Sequence, residues 1–402
     1  LIDTPIQDGY EKNDRCFLGL WDNLDQEKKC RTFFVPEFEK ESISDMKNAI
    51  YKLKQSKKNY LFKWEYLGIN DYIYAIKHYF RIRKIKLSKC YFREFTLNKL
   101  IFEEISNGLN FGMAMKAILN YRFFKRLSEL GISIETSINW FENQGMDKGW
   151  NRGLSEFFPE TKKNGYLGMI ISHHYLPMFP TKAEENAGVL PDTLFVLGEG
   201  LKAPLKEFHR DLKVLTAPAF RFQGVYRDSS KRHLSQDLTI LIALYSVLKE
   251  TKLILKIALE TNKLFENRIP IKWKIKAHPL LGKQRLINLV GVTFPDDWEW
   301  LEGDFHECLD DVDVLMGNSS STCMEALARG RLVLIVGNLH GLTQNPIPDS
   351  IPKELWKICY TCNDTAKALQ QFSKINISKV DYQSIRYNYF TPLTKDNLNN
   401  LI

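Results

Sequence analysis

From Leu238 to Val336 the chain alternates short apolar runs with longer amphipathic stretches, and this alternation restricts what it can fold into. Leu238–Tyr245 reads as a buried strand, and the lysine-rich stretch 249–266 as a helix. Ile271–Ala277 alternates as a strand and stops at His278-Pro279. Gly291–Phe294 reads as a short strand, Leu301–Leu309 as a helix, and Val312–Met316 as a strand closed by Gly317-Asn318. Ser320–Arg329 reads as a helix stopped by Gly330, and Leu332–Val336 as a further strand. Strands alternating with helices at this spacing imply a parallel sheet wound on both faces. Ligands of such sheets sit at the carboxyl ends of the strands.

The first half is less regular but points the same way. Cys16–Leu20, Thr32–Val35, Ser137–Phe141, Gly165–Ser172, Thr193–Leu197 and Lys213–Ala217 read as strands. Asp71–Leu87 reads as a basic, aromatic helix, residues 98–130 as a mainly helical insertion, and 144–158 as a helix. At 402 residues the chain exceeds what one core usually supports, so two α/β domains are expected. Polar and charged residues cluster between Phe220 and Ser235, which sets the expected domains at 1–228 and 229–402. The chain begins at a leucine, so further N-terminal residues are expected.

Two strand-end motifs in the second half suit phosphate chemistry. In Gly317-Asn318-Ser319-Ser320-Ser321-Thr322 a strand ends in glycine and small hydroxyl residues open a helix. Free backbone N–H groups, the positive helix end and the hydroxyls together make an anion site. Plain capping needs one such residue, not four in a row. In Lys276-Ala277-His278-Pro279 the proline stiffens a strand-end histidine, which is able to donate to a phosphate or to titrate.

A third motif lies in the first half: Trp140-Phe141-Glu142-Asn143-Gln144, followed by Asp147-Lys148. Glu142 ends a strand, at the sheet edge. A carboxylate there suits a general base for an acceptor hydroxyl, or a nucleophile. Asp147 is a second candidate carboxylate, and Asp228 on the interdomain linker a third. The Asn143 and Gln144 amides suit sugar hydroxyls. His173 and His174 follow a strand and suit the acceptor side, as does Arg221. Asp311 and Asp313 have D-x-D spacing but precede or interrupt a strand, so catalysis without a metal is expected.

A histidine-proline motif followed by a serine-serine motif resembles bacterial GT-B glycosyltransferases that use CMP-activated sugars. These include polysialyltransferases and Kdo transferases of capsule and O-antigen assembly; CDP-polyol phosphotransferases are similar. The Trp140–Lys148 stretch resembles one in surface-carbohydrate biosynthesis proteins. The resemblance implies an α/β GT-B fold, with two Rossmann-like doubly wound domains facing a cleft. It implies phosphate contacts for His278, Ser319 and Ser320, with Ser321 as the alternative register, and a ribose contact for Glu325. It implies a nucleotide-sugar donor, CMP-linked, no further cofactor, no metal, and a glycan or glycolipid acceptor. A CDP-polyol phosphotransferase is the first alternative; a non-hydrolysing sugar-nucleotide epimerase and a non-catalytic glycan-binding or scaffolding subunit are the others.

The formal charge of +8 fits an anionic partner, but no RNA- or DNA-binding signature accompanies it, so nucleic acid is not expected. Seven scattered cysteines suit a reducing compartment, and Cys359-Tyr-Thr-Cys362 stands without a second pair. No apolar run reaches the roughly 20 residues of a spanning helix. The expected location is the cytoplasm, with peripheral attachment to the inner face of the inner membrane.

Overall fold

The structure is a computed structural model, and it describes residues 1–402 apart from 7–15, 39–41, 107–110, 228–237, 266–270, 279–281, 292 and 376–379. In chain order the strands are β1 (Ile2–Ile6), β2 (Phe33–Phe38), β3 (Asn59–Tyr60), β4 (Tyr91–Phe92), β5 (Phe95–Thr96), β6 (Thr136–Trp140), β7 (Lys162–Leu167), β8 (Thr193–Val196) and β9 (Val214–Thr216). They continue with β10 (Leu238–Ala243), β11 (Ile271–Lys276), β12 (Glu299–Trp300), β13 (Val314–Gly317), β14 (Leu332–Val336) and β15 (Trp356–Cys359).

Two parallel sheets result. The first runs β3-β2-β1-β6-β7-β8-β9 and the second β12-β11-β10-β13-β14-β15. Each grows outward from its first strand, then jumps back across it. The jump creates a topological switch point between β1 and β6, and another between β10 and β13, where connections leave in opposite directions. β10 and β14 consist almost wholly of Leu, Ile and Val because helices cover both faces. The helix Leu248–Phe265 turns Ile254, Leu255, Ile257 and Ala258 onto that sheet.

In the first half the helices Phe111–Glu129 and Gly145–Phe157 pack against each other and bury Phe123, Phe124, Leu127, Trp150 and Leu154 together. The close approach depends on Gly149: a Cβ there would lie 1.9 Å from the Ala117 carbonyl oxygen. The chain end returns to the first sheet, where the Asn164 amide donates to the Leu401 carbonyl at 2.7 Å and the Ala219 amide to Thr391 at 2.9 Å.

Several expected elements fall elsewhere. Cys16–Leu20 is not a strand: Gly19 takes φ 77° and a short helix begins at Leu20. The segment is apolar because it is buried as a turn, with Phe17 packed on Trp140, Tyr166 and Phe220. The described residues of 291–294 form no strand; the outer strand is β12. The helix expected over Leu301–Leu309 is only Phe305–Cys308, and the one from Asp71 is split into Ile69–Ile76 and His78–Ile82. Gly165–Ser172 is strand only to Leu167. β1 was not expected, since Ile-Asp-Thr-Pro-Ile has neither period nor apolar continuity.

Candidate functional site

In the second sheet the two phosphate motifs leave the same edge. Ala243 pairs with Lys276 across β10 and β11, and Ile242 with Met316 across β10 and β13. Lys276, Ala243 and Gly317 therefore end at one level, with β10 in the middle. His278 and the serine turn are separated by two strand spacings, about 10 Å. Pro279 lies outside the described residues.

Asn318 is buried, and its side-chain amide donates to the Glu250 carboxylate. Burial raises the Glu250 pKa, and the Asn318 hydrogen bond offsets part of that rise. Glu250 thereby ties the first turn of helix Leu248–Phe265 to the serine turn. Ser319, Ser320 and Ser321 are half-buried. Ser321 occupies the N-cap position of helix Thr322–Ala328 but makes no side-chain cap bond. The Ser320 hydroxyl accepts from the Thr322 amide at 3.3 Å. Capping thus engages one of the three hydroxyls.

The remaining candidates in this sheet divide. The His278 ring stands 6.4 Å from that of Tyr245, which follows β10 between the two motifs. Lys276 is turned away from the serines, its Nζ donating to the Gly303 carbonyl at 2.6 Å. Glu325, the implied ribose contact, is buried, and its Oε2 lies 3.1 Å from His306 Nε2. Asp313 is structural: its Oδ2 accepts from the Thr239 amide at 2.8 Å.

In the first sheet, Glu142 follows the end of β6, beside that sheet's switch point. The Trp140 indole N–H donates to its Oε1 at 2.7 Å, and the Gln144 amide to its Oε2 at 2.8 Å. The Arg221 guanidinium lies 5.7 Å from the centre of the Trp140 ring, so residues from the ends of β6 and β9 meet here. Gly168 permits the arrangement, since a Cβ there would lie 2.2 Å from Trp140.

Asp147 and Asn143 are not on this surface. Asp147 is 3% exposed, and its Oδ2 accepts from the backbone amides of Glu142 and Gln144, both at 2.9 Å. It closes a capping box beneath the Glu142 turn. Burial pushes its pKa up to about 7, against the pull of those two amides. Asn143 takes φ 55° and buries its amide, which donates to the Pro177 carbonyl at 3.0 Å. Both brace the turn from below, and among the described residues Asn143 Oδ1 is buried without a hydrogen-bond partner. Asp228 lies outside the described residues.

The two sheets turn these edges toward each other. His174, in the loop after β7, places Nδ1 3.2 Å from the Thr343 carbonyl, in the loop after β14. Burial, then Glu250, then Tyr175 in the same β7 loop raise the pKa of the Tyr245 hydroxyl. His173 stacks at 6.4 Å on Phe179 and lines a small pocket with Asn345 and Pro346. Tyr245 and Glu250 escaped the motif reading. The signal was available, since the end of β10 had to fall between the ends of β11 and β13.

Among the described residues no group of three or more His, Cys, Asp or Glu side chains converges as a metal site requires. No family model matches the chain, and no curated protein matches it in sequence. Solved structures do. MnaA of S. aureus, in a co-structure with UDP, superposes with a TM-score of 0.52 at 12% identity, over 99% of this chain and 93% of that one. The calicheamicin glycosyltransferase CalG4 gives 0.52 at 10% identity, over 96% and 93%. UDP-GlcNAc 2-epimerase from Neisseria meningitidis, bound to UDP-GlcNAc, gives 0.51 at 10% identity, over 96% of each chain. Identities this low speak for shared architecture alone, and with the two switch-point sheets they establish it: the chain has the GT-B fold, two Rossmann-like doubly wound domains facing a cleft.

Proposed function

We propose that the chain is a glycosyl-transferring enzyme that takes its sugar from a nucleotide-activated donor. The observation that carries this reading is the pairing of two edges: a serine turn at the switch point of one sheet, with His278 two strands away on the same edge, and an oriented carboxylate, Glu142, at the switch point of the other. His278, Ser319, Ser320 and Ser321 hold the nucleotide phosphates. Their dipoles stabilise the charge that develops on the departing phosphate, usually the larger catalytic term. Glu142 serves the acceptor hydroxyl or the anomeric carbon. Residues 1–228 form the acceptor side and 229–402 the donor side. On the His-Pro and Ser-Ser motifs we assign the donor as CMP-linked, carrying Kdo or another nonulosonic acid, and the acceptor as a glycan or glycolipid of a surface polysaccharide.

A second reading, a sugar-nucleotide epimerase, is favoured by UDP in the MnaA co-structure and UDP-GlcNAc on the Neisseria enzyme. Thermal shift with CMP, CDP, UDP and GDP, on the wild type and on His278→Ala, separates these cases. A response to CMP that His278→Ala removes supports the first reading. A response to UDP, with epimerisation of a UDP-sugar in the absence of acceptor, supports the second. CDP alone points to polyol phosphate transfer. Silence with all four nucleotides leaves a glycan-binding scaffold and sinks the enzymatic reading.

A further inference from the structure

Residues 76–106 form an excursion from the first sheet that contains no buried residue. By composition it should bury itself: 14 of these 31 residues are Ile, Leu, Phe or Tyr. Instead the β4–β5 hairpin presents Phe92 at 62% and Phe95 at 63% exposure, on either side of an Arg93-Glu94 tip. Helix Asn98–Ser106 likewise has no buried residue. Exposed apolar side chains in this number, within one excursion, mark an interaction site.

The charge indicates what covers it. Residues 76–106 contain eight basic and three acidic residues, a surplus of five, against +8 for all 402. The cations are interleaved with the rings. Arg81 lies 4.2 Å over Tyr74, Arg83 4.2 Å over Tyr79, and Arg93 5.7 Å over Phe92. Five of the eight cations are lysines, a residue depleted from protein interfaces. Exposed isoleucine and leucine side chains have no use against a nucleic acid. Rings and aliphatic chains mixed with cations suit the level of a bilayer where acyl chains meet phosphates. No helix among the described residues is long and apolar enough to cross a membrane.

We propose that residues 76–106 dock the protein on an anionic lipid surface, the hairpin tip entering the headgroup layer and the lysines meeting phosphates. The inference stands without the glycosyl-transfer reading. It has a consequence if that reading holds. Tyr79 packs edge-on against Phe111 at 6.0 Å, and Met113 on the same helix lies against Gly145, at the Glu142 turn. The docking segment thus packs on the helix that also braces the Glu142 turn, which sets the proposed acceptor side on the same half of the protein as the lipid contact.

Flotation of the full chain with vesicles tests this. The protein is expected to float with equal mixtures of phosphatidylcholine and phosphatidylglycerol, to stay down with phosphatidylcholine alone, and to release at high salt. Phe92→Ser with Phe95→Ser, and separately Lys84→Glu with Lys86→Glu, should each lower the bound fraction by about tenfold, at unchanged melting temperature. Failure of the wild type to prefer anionic vesicles overturns the proposal. So does self-association that the Phe92/Phe95 pair abolishes in the absence of lipid, or binding to RNA with no binding to vesicles.

Discussion

The indole N–H of Trp140 donates to Glu142 Oε1 at 2.7 Å while the Gln144 amide donates to Oε2 at 2.8 Å. Two donors fix the plane of the carboxylate, and each oxygen retains a lone pair for a substrate proton. Glu142→Gln keeps the shape but removes the base. Turnover should fall by about 100-fold or more, with nucleotide-induced stabilisation unchanged. Trp140→Phe removes the donor together with part of the indole bulk, so kcat should fall by about tenfold with KM little changed. Steady-state kinetics of both variants check this, and full activity in Glu142→Gln removes the residue from the chemistry.

The Asn318–Glu250 contact gives a test that does not depend on knowing the substrate. Asn318→Asp would set two partly desolvated carboxylates against each other. Glu250 is already raised by burial, so the new pair should hold a proton more strongly still. The variant should lose about 2 kcal/mol of stability at pH 8 and distinctly less at pH 5, where one of the two carries a proton. Urea unfolding at the two pH values measures it; an equal loss at both would show that the repulsion is not the cause.

Asp3 and Asp147 are buried in the first sheet's half, and burial pushes both pKa values up to about 7. Among the described residues Asp3 Oδ1 has no hydrogen-bond partner. Folded-state values above the unfolded ones mean that the native protein holds extra protons between about pH 4 and pH 7. That part of its stability is fully present at low pH and is lost as pH rises through 7. Replacing both by Asn removes the dependence. The unfolding free energy of the double variant relative to wild type should therefore rise by about 5 kcal/mol from pH 5 to pH 8. Parallel profiles would falsify this assignment.

Gly168→Ala should act through Trp140. The added Cβ would lie 2.2 Å from the indole ring, so ring or loop must shift. Overpacking of this kind costs about 1–3 kcal/mol, and the displaced indole would no longer orient Glu142. A lower melting temperature together with slower turnover is expected. A crystal structure of the variant with Trp140 unmoved would break the link.

The sequence was most legible where burial is complete. β10, β11, β13 and β14 were readable because parallel strands covered on both faces become runs of Leu, Ile and Val, or alternate cleanly. It was least legible at the edges and in β1. Glu299-Trp300 is too short and polar to read as a strand. β1 contains Asp3 and Pro5, yet pairs with β2 along its whole length and with β6 only at Ile2. Pro5, which lacks a donor, lies beyond that second pairing.

The candidate site divides in the same way. Strand-end motifs are local, so His278, the serine turn and Glu142 stand out in the chain itself, and their residue types already indicate phosphate and carboxylate chemistry. Which of their neighbours hold them is decided over long range. Asn318 finds Glu250 from 68 positions away, Glu325 finds His306, and Arg221 reaches Trp140. Only the fold showed that Asp147 and Asn143 lie under their turn and not on it, because burial depends on what packs against a segment. The sequence alone determined the alternating α/β pattern and the chemistry of the strand ends. The tertiary structure decided that Glu142 and the serine turn follow strands that flank switch points, since the strand order that creates a switch point comes from crossovers that no local pattern encodes.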